Sequence, residues 1–195
     1  MSTDNTPAPE LLKAFVIAGH FDLEMVKTML TENPALLNAE HQWKENDYES
    51  ALGGAAHVGN RAIAEYLLEQ GARLTIFAAA MLGRADEVQA FLESDASLAN
   101  GRGAHGIPVM AHAAHSGLID VAQMLKAYGC TEGYDAALLV AVMDGHTRLV
   151  KWLLENGVEN VDVTDMKGRT PLQLAREFGH DEIVALLQER GATDS

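Results

Sequence analysis

The sequence predicts an all-α solenoid of about six stacked helix–turn–helix units, and three regularities carry that expectation. An anchor position recurs at Val26, Ala64, Val88, Ala122, Val150 and Val184, at intervals of 38, 24, 34, 28 and 34 residues. Five residues before it stand Phe21, Gly59, Gly83, Gly117, Gly145 and Gly179, and seven after it Asn33, Gly71, Asp95, Gly129, Gly157 and Gly191. Gly, Asn and Asp tolerate the left-handed backbone that closes a helix, so both columns read as helix stops, with Phe21 the exception. Three residues after the anchor lie Met29, Leu67, Phe91, Leu125, Leu153 and Leu187, all apolar, as a core row running down a stack requires.

Taken in order, the units differ mainly in what joins them. Residues 1–9 are polar and Pro-containing and are expected to be loosely ordered, with a repeat domain over 10–193. No apolar run follows a basic start, so neither a signal peptide nor a membrane span is expected. Before the second unit the long interval carries WKENDYES, which predicts an extended finger bearing Trp43 and Tyr48. Before the third, Gly71 to Phe77 runs straight into the next helix and leaves no room for a protruding hairpin. The fourth has a glycine-rich finger, Gly101 to Gly106, with Arg102 and His105. Between Tyr128 and Tyr134 the connection to the fifth is again clipped. The tail Thr193-Asp194-Ser195 is expected to fray.

The last unit carries the clearest resemblance. Thr170-Pro171-Leu172-Gln173-Leu174-Ala175, then Gly179-His180, Ile183-Val184-Ala185-Leu186-Leu187 and Gly191-Ala192, resembles an ankyrin repeat. Gly145-His146, Leu149-Val150 and Leu153-Leu154 repeat the signature, and the match covers roughly residues 10–193. The resemblance implies a binding scaffold whose surface comprises the fingers and the two residues before each turn glycine. By position these are His57 and Val58, Met81 and Leu82, His115 and Ser116, Met143 and Asp144, and Glu177 and Phe178, with Gly19 and His20 in the first unit. The middle of this row is apolar, which reads either as an interaction strip or as core covered by neighbouring loops.

Charge narrows the partner. With 14 basic against 28 acidic residues and a formal net charge of -14, no basic cluster is available for a nucleic acid or an anionic membrane. Some of the acidity has a helical reason, because Asp22, Glu24, Asp86, Glu87, Asp120, Asp181 and Glu182 fall in first turns, where the helix dipole favours carboxylates. The remaining surface favours basic partners. The one cysteine, Cys130, cannot form an intramolecular disulfide and occupies a small core slot, so a buried thiol and a cytoplasmic setting are expected.

Catalysis, metals and nucleotides each have a weaker pattern. GRGAHG lacks the Lys-Ser/Thr of a phosphate loop and follows no predicted parallel strand. His112 and His115 share a helix face with His105 upstream, yet the usual i,i+4 pair with an intervening glutamate is absent, so no metal or other cofactor is expected. His146 and His180 fill a slot where the resemblance makes histidine ordinary. His57, His115, Asp144 and His105 offer acid, base and orienting groups, but no nucleophile motif accompanies them. No catalytic residue is nominated. The expected function is a monomeric interaction module binding an apolar or basic peptide or protein through Trp43, Tyr48, Arg102 and His105 on fingers and His57, Met81, Leu82, His115, Met143, Asp144 and Phe178 in the groove. The alternative is an enzyme or small-molecule binder using the His-lined groove across units two to four. Because the first unit has Phe21 at its turn, it should open first: amides in residues 11–32 should exchange with solvent faster than those in 110–126, and slower exchange there would contradict this.

Overall fold

The computed structural model describes residues 7–193. Twelve helices among them form six pairs: α1 (Pro9–Phe21) with α2 (Leu23–Glu32), α3 (Ala51–His57) with α4 (Arg61–Glu69), α5 (Ile76–Leu82) with α6 (Ala85–Ser94), α7 (Val109–Ala114) with α8 (Ile119–Ala127), α9 (Tyr134–Met143) with α10 (Thr147–Asn156), and α11 (Pro171–Glu177) with α12 (Asp181–Glu189). The first helices of the pairs stack in sequence from α1 to α11, while α6, α8, α10 and α12 form a second row behind them. Among the described residues, no helix is long and apolar enough to cross a membrane.

Several first helices have only six or seven residues, too short to persist alone, so their ends and their packing sustain them. Hydroxyl caps start three of them. Ser50 Oγ accepts from Gly53 N at 3.1 Å, Thr75 Oγ1 from Ala78 N at 3.2 Å, and Thr170 forms a reciprocal capping box with Gln173. Thr170 is buried, and its helix opens with Pro171, whose fixed backbone angle suits a first turn. The turn of the first unit differs as its sequence predicts: α1 runs through Phe21, and Asp22 caps α2 by accepting from Met25 N at 2.9 Å.

Buried side chains form two clusters that meet at α5. Ala78, Met81 and Leu82 pack with Phe15, Val26, Leu36, Ile63 and Leu67, whereas Ile76, Ala79 and Ala80 pack with the core that continues to Leu187. Met81 and Leu82, expected on a groove floor, are therefore core residues only 2% and 5% exposed. The reason is steric: α5 has no finger of its own and is covered from both sides. Cys130 is likewise buried, and burial pushes its thiol pKa up.

The long finger adds the one sheet among the described residues. Strands β1 (His41–Lys44) and β2 (Asp47–Glu49) pair antiparallel, with His41 opposite Glu49 and Gln42 opposite Tyr48, and a bulge interrupts the register between Gln42 and Lys44. Alternation along β2 turns Asp47 and Glu49 inward and Tyr48 outward. The glycine-rich finger folds back at Ala104–Gly106, closed by Gly103 N to Ile107 O at 2.9 Å. With the finger between them clipped, the two long ones touch. His105 N donates to Asp47 Oδ1 at 2.7 Å across 58 positions of sequence.

Both chain ends hold sequence expectations. Helix α1 begins at Pro9, and the expectation of loose order for 1–9 otherwise falls on residues 1–6, outside the described residues. Thr193 is tied down rather than frayed, its N and Oγ1 both 2.9 Å from the Asp162 carboxylate, while Asp194 and Ser195 lie outside the described residues.

Gly145 shows why the turn column excludes side chains. Its φ is +72°, and a Cβ there would lie 2.8 Å from the His180 ring, whereas Gly191, at φ +84°, has open space around it. Gly191→Ala should cost about 1 kcal/mol for the left-handed backbone alone. Gly145→Ala should cost about 2 kcal/mol or more, because the ring must also move. Urea denaturation of the two variants measures the difference.

Candidate functional site

Where the two long fingers meet the first two helix pairs, the chain buries a carboxylate among imidazoles. The Glu49 side chain is fully shielded from solvent. Its Oε2 accepts from Trp43 Nε1 at 2.7 Å and lies 3.5 Å from His105 Nε2. Its Oε1 lies 2.9 Å from His57 Nδ1 and 3.6 Å from His20 Nε2. The His57 contact has ion-pair length but a poor approach angle, so Oε1 and Nδ1 are both buried without a hydrogen-bonded partner. Distance alone overstates this contact, since hydrogen bonds weaken steeply off axis.

Each neighbour is placed by a different element. His20 sits near the end of α1, with Nδ1 at 2.9 Å from the Val16 carbonyl; a carbonyl only accepts, so Nδ1 carries a proton, and Nε2 is the nitrogen that faces Glu49. His57 ends α3, and its ring meets His20 edge-on at 4.8 Å between centroids. His105 has φ +57°, a left-handed backbone uncommon for a residue with a side chain. Two bonds to Asp47 hold it there, from N at 2.7 Å and at Nδ1 at 3.1 Å. Burial pushes the Glu49 pKa up, but His57, Trp43 and His20 together outweigh it and leave the group below its ordinary value. The backbone N–H of His105 holds Asp47 below its ordinary value, aided by the imidazole and by Lys44.

Two clefts border this cluster. One of 550 Å³ is lined by residues including Asp47, Tyr48, Phe77, Arg102 and His105, a size that suits a small ligand. The other, of 320 Å³, is apolar and lined by Ile17, His20, Phe21, Trp43 and His105. Phe21 and Ile17 are 73% and 38% exposed. Tyr48 is also exposed, while Arg102 is engaged by Glu132 and by the Gly106 carbonyl at 2.9 Å, a tether within its own finger and to the next connection.

The other sequence-derived candidates have structural partners. His115 faces Asp144 Oδ2 at 2.7 Å and the His57 carbonyl at 3.2 Å, so it bridges three helix pairs instead of facing a groove. Met143 supplies the carbonyl that His180 Nε2 reaches at 3.4 Å. Phe178 is exposed and stacks beside His180. His105, His112 and His115 do not converge. His112 is 2% exposed, packs on Phe77, and bonds the Pro108 carbonyl at 3.0 Å through Nδ1.

Sequence reasoning placed His20 in the surface row of the first unit and left out Asp47 and Glu49. His20 looked solitary because its companions lie on other elements. The two carboxylates left one readable signal, since residues two apart on a strand share a face.

Burial lowers the His112 pKa from 6.5 to about 4, outweighing the bond to Pro108. The unfolded chain takes up a proton near pH 6.5 and the folded chain only near pH 4, so this residue's stability contribution is complete above the first value and falls as pH drops between them. The loss should approach about 3 kcal/mol. Urea midpoints measured across that window should decline less steeply in His112→Leu than in the wild type.

Comparison with known proteins agrees with the stacked architecture. The family model for ankyrin repeats, in three copies, matches residues 112–194. The chain is similar to the ankyrin repeat and KH domain-containing protein mask-1 of Caenorhabditis elegans, 30% identical over 132 residues, which cover 64% of this chain and 5% of that protein. It is also similar to the potassium channel AKT1 of Arabidopsis thaliana, 44% identical over 55 residues, 28% of this chain and 6% of the channel. A third similarity is to the liver isoform of mouse mitochondrial glutaminase, 45% identical over 58 residues, 29% of this chain and 10% of the enzyme. The chain thus spans a tenth or less of the length of these relatives.

Proposed function

For a chain that is an ankyrin-repeat protein, with three repeats matched in residues 112–194, we propose a protein-interaction module that binds a peptide or folded surface carrying apolar and basic groups. Ankyrin repeats generally serve protein–protein interaction, and that much applies to the stack as a class. The observation that carries the finer reading is the exposed apolar set at the first finger. Phe21, Ile17 and Trp43 line one cleft, and Tyr48 stands outward on the adjoining strand. Aromatic side chains on a rigid support are the type that dominates interface energies. Here the support is rigid because the hairpin is tied to the glycine-rich finger.

The recognition surface therefore lies nearer the amino-terminal end than the groove row alone implies. Val58 and Phe178, 43% and 48% exposed, extend it along the row before the turn glycines. His57, Met81, Leu82 and His115 serve beneath it as packing and hydrogen-bonding groups. The formal charge of -14 favours a basic partner and a faster encounter at low salt. The buried, unpaired thiol of Cys130 fits a reducing compartment, and the cytoplasm is the setting we assign.

A small-ligand reading draws on the 550 Å³ cleft and its acidic and imidazole lining. The two readings separate in one experiment. The tagged chain is used for affinity capture beside a Phe21→Ser, Tyr48→Ala, Phe178→Ala variant, followed by binding measurements with the captured polypeptide at rising salt. The module reading expects a polypeptide whose affinity falls more than about tenfold in the variant and weakens with salt. No captured polypeptide, or equal capture by both chains, would overturn it.

A further inference from the structure

We infer that His20 Nε2, His57 Nδ1 and Glu49 Oε1 form a binding site for a divalent transition-metal ion of the zinc type. These three atoms lie within 4.8 Å of one another. Zinc bonds to imidazole and carboxylate are about 2.1 Å, so neighbouring ligand atoms around a tetrahedral ion lie about 3.4 Å apart. Closing the set from 4.8 Å around an ion therefore requires about 1.4 Å of side-chain adjustment at its widest pair.

Three features distinguish this cluster from an ordinary buried ion pair. First, the Glu49 side chain is fully shielded, and its Oε1 and His57 Nδ1 are both buried and meet each other at 2.9 Å outside hydrogen-bond geometry. Buried polar atoms that meet so imperfectly are rare, because burial without a well-formed hydrogen bond destabilises the fold. Second, the Nδ1 proton of His20 is committed to the Val16 carbonyl, which leaves Nε2, 3.6 Å from Glu49 Oε1, as the nitrogen available to an ion. A divalent cation between them would bond both and displace any proton carried on Nε2. Third, an outer layer already orients the ligands: Val16 fixes the His20 ring, and Trp43 Nε1 at 2.7 Å holds the other carboxylate oxygen. Metal-ligating histidines and carboxylates are supported in this way.

Two imidazoles and one carboxylate give three protein ligands, the number found where zinc keeps a position for water or a ligand. His20 also lines the apolar cleft with Ile17, Phe21 and Trp43, which provides an approach to that position. The ligands come from α1, the hairpin and α3, so the bound ion would clamp the first finger to the first two helix pairs. The residues of the recognition surface proposed above supply no ligand, although Ile17, Phe21 and Trp43 line the cleft that His20 shares.

The test uses the full chain, stripped with a chelator and titrated with Zn²⁺ by calorimetry and with Co²⁺ by visible absorption. One equivalent should bind, with the intense visible bands of low-coordinate Co²⁺. His20→Ala and His57→Ala should each weaken binding at least about a hundredfold, while His180→Ala, at the other end of the stack, should leave it unchanged. Circular dichroism confirms that each variant is helical. Should a variant fail to fold, X-ray absorption of the Zn²⁺-loaded wild type decides, and two imidazole ligands support the site. Absence of binding, binding equal in all variants, or fewer than two imidazoles would overturn it.

Discussion

Burial of one carboxylate organises the amino-terminal half of this molecule. Glu49 is shielded from water and must be met by protein groups, because an uncompensated buried charge costs several kcal/mol. Those groups come from four places: His20 on α1, Trp43 on the hairpin, His57 at the end of α3, and His105 on the glycine-rich finger. Trp43 and His57 are near Glu49 in the chain, six and eight positions away, whereas His20 and His105 are 29 and 56 away. The carboxylate thus joins segments that the repeat geometry alone would leave side by side.

That convergence depends on something missing. The 24-residue interval between the second and third anchors deletes a finger, and the finger of the fourth pair reaches across the gap to Asp47. The same deletion lets His115 bond the His57 carbonyl, skipping one helix pair. Beyond the gap the histidine bridges recur regularly. His146 reaches the His115 carbonyl at 3.2 Å and His180 the Met143 carbonyl at 3.4 Å, each ring lying over the turn glycine of the pair before it. A repeated histidine therefore supplies a repeated inter-unit hydrogen bond, and the glycine is small because the ring occupies the space.

This division bears on what the surface can do. Histidines and methionines in the row before the turn glycines are largely consumed by the stack itself, as core at Met81 and as bridges at His115. The side chains left to solvent are aromatic and aliphatic ones on the edges, Phe21, Tyr48, Val58 and Phe178, on a strongly acidic chain. Interaction surfaces of this kind rely on rigid anchors with little entropy to lose. The locked fingers provide that rigidity.

The sequence by itself determined the repeat. Glycine columns, apolar rows and interval lengths are local and periodic, so they revealed the helix pairs, the long finger and the two clipped connections without any knowledge of distant contacts. Tyr48 and Phe178 were legible as candidates for the same reason, since their positions follow from the unit. What only the tertiary structure decided was which side chains meet. Met81 became core because two neighbouring pairs cover α5, and Trp43 became a hydrogen-bond donor to Glu49 instead of a free finger residue. Asp47 and Glu49 carry no periodic mark, and their partners lie as far as 58 positions away. Pairing of buried polar groups is a matter of distance and angle between separate elements, and a one-dimensional pattern holds neither.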